Sequence, residues 1–175
     1  MQAERRVSGR FVEWIFGSAK GEAVAQALRG AGLDLDALSP DYPAERLPQW
    51  LSMLSEVRHP QASRAEALRR MGFEAALRGS GGKTLDEVMS ALPANTERIG
   101  NFFDVSVREH GPHRYVAHFD DTAFVPTFFL GVLQGVTSTS STRPAEVTWS
   151  PEGLSGARYD VTVTPSPCEA GRGPG

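Results

Sequence analysis

The sequence predicts an α+β fold: amino-terminal helices, then a β-β-α-β-β unit forming an antiparallel sheet covered by helices. Three observations carry this. Phe103, Val105 and Val107 alternate with Asp104, Ser106 and Arg108, and Tyr115, Ala117 and Phe119 alternate with Arg114, Val116 and His118. Phe128, Phe129, Val132, Leu133 and Val136 then recur at helical spacing, before Val147 with Trp149, and Tyr159, Val161 and Val163, return to a period of two. Upstream, the apolar residues follow helical stripes interrupted by glycine, proline and capping signals. Period two marks half-buried strands and a period near 3.6 marks a helix. Helices followed by a hairpin-rich block imply segregated layers.

Taken in order, residues 1–8 read as a loose end. Residues 11–16 are apolar enough for a short strand or a helix start. Residues 18–31 predict a helix with Val24, Ala27, Leu28 and Ala31 on one face, stopped by Gly30 and Gly32. Pro43 suits the first turn of the next helix, which carries Leu47, Trp50, Leu51, Leu54 and Val57. Ser63 with Glu66 reads as a capping box ahead of Ala65, Leu68, Phe73, Ala76 and Leu77, with Gly72 weakening the middle. Thr84 with Glu87 repeats the box ahead of Leu85, Val88, Met89 and Leu92, and Pro93 is expected to stop that helix. Residues 94–100 read as a polar turn, and residues 125–137 as the helix that covers the sheet. The chain reads as one domain over residues 9–164, with residues 1–8 and 165–175 as disordered tails.

Composition bounds the function. With 40% hydrophobic and 22% charged residues the chain has globular values. A net charge of −3 gives no electrostatic reason to expect nucleic acid. No apolar run reaches the ~18–20 residues of a membrane span, and the start lacks the apolar core of a secretory signal. The single cysteine, Cys168, cannot form an intrachain disulfide and suits a reducing, cytoplasmic setting.

Signals for chemistry are sparse. His110 and His113 flank Gly111-Pro112, and His118 follows on the next strand, but a solvated turn explains them better than a metal, and no metal site is expected. Gly82-Lys83-Thr84 has the last three residue types of a phosphate loop. Leu77 stands where the first glycine belongs and a helix precedes it, so the segment reads as an interhelical hinge. Cys168 has no structured base beside it, and no catalytic set assembles. The aromatics Phe102, Phe103, Tyr115, Phe119, Phe124, Phe128, Phe129, Trp149 and Tyr159 concentrate in the sheet-and-helix unit. They read first as core and second as the lining of an apolar pocket. The candidate ligand-binding residues are Arg98, Asn101, Phe103, Tyr115 and Phe128, the first two at the polar edge.

Glu97-Arg98-Ile99-Gly100-Asn101-Phe102-Phe103, Arg114-Tyr115, the run from Phe128 to Leu133 and Ala157-Arg158-Tyr159-Asp160-Val161 resemble a family of uncharacterised myxobacterial paralogues, a domain of unknown function. Ala31-Gly32-Leu33-Asp34-Leu35-Asp36 and Tyr42-Pro43 fit it as well. The order of elements is also distantly similar to vinyl-reductase-like small-molecule-binding domains, haem–nitric-oxide-binding domains and vesicle-tethering subunits. That resemblance implies an apolar ligand or acyl chain at the helix–sheet interface, and dimers. The chain lacks the Tyr-x-Ser-x-Arg triplet and proximal helical histidine of the haem branch, and the paired cysteines of the vinyl-reductase branch. Architecture therefore carries over, and no cofactor does. The expected role is a non-enzymatic cytoplasmic sensory or adaptor domain for signalling. It would bind a small apolar molecule or an unknown protein partner, a homodimer included, with no nucleic acid and no membrane span. The alternatives are an enzyme using His110, His113 or His118 with Asp120 or Asp121, and a purely structural interaction module.

Overall fold

The computed structural model of the chain describes residues 4–17, 19, 21–79, 81–101, 104–120 and 126–164. Strand β1 (Arg6–Ser8) leads into α1 (Gly9–Phe16) and α2 (Glu22–Gly30). Strand β2 (Asp41–Pro43) and a single 3-10 turn (Ala44–Arg46) precede α3 (Leu47–Arg58), α4 (Arg64–Gly79) and α5 (Leu85–Ile99). The carboxy-terminal unit is β3 (Val105–Glu109), β4 (Arg114–Phe119), α6 (Pro126–Ser140), β5 (Ala145–Glu152) and β6 (Gly156–Val163). This is the expected α+β order, with Phe103 and residues 121–125 outside the described residues.

The four carboxy-terminal strands form one antiparallel sheet in the order β3-β4-β6-β5. Its register explains the alternation seen in the sequence. Val107 pairs with Ala117, Ala117 with Tyr159, and Tyr159 with Trp149, while Tyr115 pairs with Val161 and Val161 with Val147. One face is therefore apolar across all four strands. Tyr115, Ala117, Phe119, Tyr159 and Val161 on it are buried, and Val105 and Val107 pack against the core more loosely at the β3 edge. The opposite face carries Arg158, which grips Asp160 through two hydrogen bonds of 2.9 and 3.0 Å, and His118, whose Nδ1 lies 2.7 Å from the Glu152 carboxylate. Arg158 and Arg114 hold the Asp160 carboxyl below its ordinary range. Pro151, which cannot donate to a ladder, lies on the outer strand β5.

Helix α6 lies on the apolar face and is locked to α4 by glycine. A Cβ on Gly72 would collide with the Phe128 carbonyl, and one on Gly131 with the Arg69 carbonyl. One on Gly135 would stand 2.7 Å from the Ala76 Cβ and 2.8 Å from the Phe73 carbonyl. The two backbones thus meet directly. Gly72, which by propensity weakens a helix, is the surface that lets α6 approach. The α6 amino terminus is fixed to the sheet by the Tyr159 hydroxyl, which donates to the Pro126 carbonyl at 2.7 Å. Burial raises the Tyr159 pKa, so the phenol stays protonated as that donor.

Several expectations are corrected. Residues 6–8 are no loose end: Val7 is fully buried, and β1 pairs antiparallel with β2. Residues 11–16 are helical, with Ser8 as amino-terminal cap accepting the Phe11 N–H. Pro43 closes β2, and the next helix starts at Leu47 with Pro48 in its first turn. Leu47, Trp50, Leu51 and Leu54 are buried as the stripe predicts, but Val57 is exposed. Helix α5 runs through Pro93 to Ile99, so residues 94–100 are not a polar turn. Its continuous face of Val88, Leu92 and Ile99 outweighs the local cost of proline, because packing rather than propensity supplies most helix stability. Thr84 and Glu87 form the expected capping box.

At Ser63 only half a box exists. Ser63 Oγ accepts the Glu66 N–H, but the Glu66 carboxylate turns to Arg69 and Arg70, each at 2.8 Å. Those hydrogen bonds lower its pKa from 4.5 to about 2. A depressed carboxylate pKa contributes stability above its unfolded value and loses it as pH falls through the folded value. The stability gap between the parent and Glu66→Gln should therefore be constant above pH ~5 and close towards pH 2. Urea midpoints across that range measure it, and a gap unchanged at pH 2 would contradict the assignment.

Candidate functional site

A cavity of about 470 Å³ opens among α1, α4, α5 and α6. Each wall follows from helical spacing. Phe11 and Trp14 come from α1 at i and i+3, their ring centroids 5.6 Å apart. Helix α5 turns Val88, Leu92, Asn95 and Ile99 to it, at i, i+4, i+7 and i+11. Helix α6 adds Phe129, Val132, Leu133 and Val136, and the end of α4 adds Ala76 and Gly79. Phe119, at the end of β4, is the sheet's contribution, with its ring centroid 4.9 Å from that of Phe129.

Two of the polar groups in these walls are occupied locally, and Asn95 is exposed at the rim. The Thr96 hydroxyl donates to the Pro93 carbonyl at 2.6 Å, and Ser8 Oγ serves as the α1 cap. The interior is consequently apolar. Arg10, Lys83 and Arg98 line the mouth with exposed side chains. No Asp, Glu, His, Cys, Met or Tyr belongs to the lining among the described residues.

A wider depression of about 740 Å³ lies between α4, the end of α6 and β5. It is a weaker site. Arg69 there is engaged by Glu66 and by Gln134 at 2.8 Å, and hydroxyls of Thr137 and Ser138 are spent on their own helix carbonyls.

The sequence candidates separate. Arg98 lines the cavity mouth. Asn101 instead anchors β1: its Oδ1 accepts the Arg6 N–H at 2.6 Å and its Nδ2 donates to the Glu4 carbonyl at 3.3 Å. Tyr115 is buried on β4 and borders a separate shallow depression with His113 and Val163. Phe128 is fully buried against Phe129 and is absent from the cavity lining, which its neighbour Phe129 supplies. Phe103 lies outside the described residues. This cavity is thus on the side of α6 that faces α1 and α5, with Phe119 as its sheet residue. The sequence reading missed Phe11, Trp14, Val88, Leu92 and Val132. Their helical stripes were legible, but which stripe faces a space and which a filled core depends on tertiary packing.

The histidines do not gather either. His110 and His113 stand in the β3–β4 turn, where Gly111 and His113 both take positive φ. His118 pairs with Glu152 on the outer sheet face. His59 ends α3 beside Glu74. Asp120 is exposed after β4, and Asp121 and Cys168 lie outside the described residues. No group of His, Cys, Asp and Glu that could hold a metal occurs among the described residues. No helix is long and apolar enough to cross a membrane among them.

The fold is that of H-NOX domains. The chain superposes on a Tt H-NOX point mutant with a TM-score of 0.72 at 15% identity, covering 90% of this chain and 95% of that one. A structure probing haem distortion in the H-NOX family gives 0.69 at 16%, covering 90% and 95%. An oxygen-binding H-NOX domain related to soluble guanylate cyclases, in its oxygen complex, gives 0.61 at 12%, covering 87% and 89%. At such identities the likeness establishes architecture alone. No curated protein matches the chain. A family model matches residues 2–162, nearly the whole described chain, and by it the chain belongs to DUF2378, a family of proteins of unknown function.

Proposed function

We propose that this chain is a non-enzymatic sensory or adaptor domain that takes a small apolar molecule into the cavity between α1, α4, α5 and α6. The carrying observation is the composition of that cavity. It has the size of ligand pockets, ~300–1,000 Å³, an almost wholly apolar interior and polar groups confined to its mouth. Nothing in it resembles a base held by an orienting partner beside a nucleophile. The pair with the best acid–base geometry, His118 with Glu152, stands on the outer sheet face and not in this cavity.

The H-NOX likeness raises haem as an occupant, and the residues do not fit it. Protein haem iron is held by His, Cys, Met or Tyr. All four histidines of the chain are described and none lines the cavity, and Cys, Met and Tyr are missing from its walls among the described residues. Hemin added to the purified protein should give no axially ligated Soret band.

The test is native mass spectrometry of protein purified from its own host, with Val132→Trp in parallel. Val132 is half-buried at the cavity wall, so the larger ring fills space that exists. A co-purifying molecule present in the parent and lost in Val132→Trp is the expected result. A ligand retained by the filled variant would place binding elsewhere, and no ligand in any preparation would remove the sensor reading.

A further inference from the structure

The chemistry of the mouth specifies the ligand further, if the cavity is the binding site proposed above. Arg10 enters from the first turn of α1 and Arg98 from the last turn of α5, at the end of the cavity where the Val7–Gly100 bridge joins these segments, whereas Lys83 lies at the opposite end of α5. Two separate segments thus bring their arginines to one end of the opening. No Asp or Glu lines the cavity, and neither Arg10 nor Arg98 makes an ion pair there, among the described residues, whereas Lys83 faces the Glu87 carboxylate. Several cations elsewhere are neutralised at close range. Arg29 meets Asp34 and Asp36, Arg69 and Arg70 share Glu66, and Arg158 holds Asp160. An apolar interior of about 470 Å³ with Arg10 and Arg98 at one end matches a molecule with the same division. A neutral hydrocarbon would leave the mouth unused, and an organic cation would be repelled.

We infer that the cavity binds a single-chain amphiphile with an anionic headgroup. Its alkyl chain lies among Phe11, Phe129, Val132 and Leu133, and its carboxylate lies at Arg10 and Arg98. Guanidinium groups favour such oxyanions because they donate two parallel hydrogen bonds. The apolar walls supply affinity through buried area, and the cations supply selection and rapid capture.

Trp14 lines the cavity, so indole fluorescence reports occupancy. The probes are dodecanoate, dodecanol and dodecyltrimethylammonium, titrated below their micellar concentrations into the full chain. Dodecanoate should bind at least tenfold more tightly than dodecanol, and the ammonium probe more weakly than both. The double variant Arg10→Glu/Arg98→Glu changes only exposed groups, and its melting point verifies folding. It should lose at least tenfold in dodecanoate affinity with dodecanol unchanged, whereas Val132→Trp should lose both. Equal affinity for acid and alcohol, untouched by charge reversal, would overturn the anionic headgroup while leaving an apolar pocket. Failure of every probe to bind the parent would overturn both. Dodecyl phosphate binding in place of dodecanoate would overturn the carboxylate and move the assignment to a phosphate headgroup.

Discussion

Gly131→Ala should destabilise the protein by about 3 kcal/mol or more, at the upper end of what overpacking costs. A single methyl group is added, but it would meet the Arg69 carbonyl and crowd the Phe73 amide of α4. These are backbone atoms, so no side-chain rotation relieves the collision. The helices must part, and the contacts that α6 makes with both α4 and the sheet loosen together. For a chain of this size ~3 kcal/mol corresponds to a melting point lower by roughly 6–12 °C. Gly30→Ala is the control, because a Cβ there meets nothing within 4 Å. It should be neutral or slightly stabilising, since alanine is the better helix former. Equal melting curves for the two variants would show that α4 and α6 do not meet through glycine.

Trp50→Ala should cost ~3–5 kcal/mol. Trp50 is 1% exposed and joins three elements. Its indole N–H donates to the Ala31 carbonyl at 3.0 Å, beyond the end of α2. Its ring meets Phe16 of α1 edge-on at 6.3 Å and Tyr42 of β2 edge-on at 5.3 Å. Truncation removes the largest fully buried side chain among the described residues and leaves the part-buried Ala31 carbonyl without that donor. Trp50→Phe should restore the packing in part but not the hydrogen bond, and so fall between. Chemical denaturation midpoints rank the three proteins, and a Trp50→Ala loss below ~1 kcal/mol would contradict this packing.

The sheet was legible because its signal is local and repeated. Tyr115, Ala117 and Phe119 face one side by geometry alone, and the partner strands carry the same alternation. Helix existence was also legible, since Leu47, Trp50, Leu51 and Leu54 specify a face whatever covers it. What failed depended on distant partners. Val7 is one apolar residue in a polar stretch, and it becomes a buried strand only because Tyr42 and Gly100 pair with it. Pro93 is a helix breaker by its own chemistry, and the face running from Leu85 to Ile99 overrides it. The ligand candidates show the same division. Arg98 was conspicuous in the sequence as a charged residue at an element boundary, and it lies at the cavity edge. Phe11 and Leu92 were not named because an apolar residue that borders a space has the same sequence signature as one that fills it.

The glycine contact between α4 and α6 gives the cavity two unlike sides. The α4–α6 side is keyed backbone to backbone and behaves as a stiff spine. No described glycine brings the α1 or α5 backbone against α6 in that way, and Pro93 removes one rung from the α5 ladder beside the cavity wall. Any change in internal volume is therefore taken up on one side, as in a bellows fixed along its back. The β1–β2 ribbon rides on that compliant side, tied to the end of α5 by the Val7–Gly100 bridge and by Asn101. Filling or emptying the interior would be felt first at this surface ribbon, with the sheet left as a stationary frame.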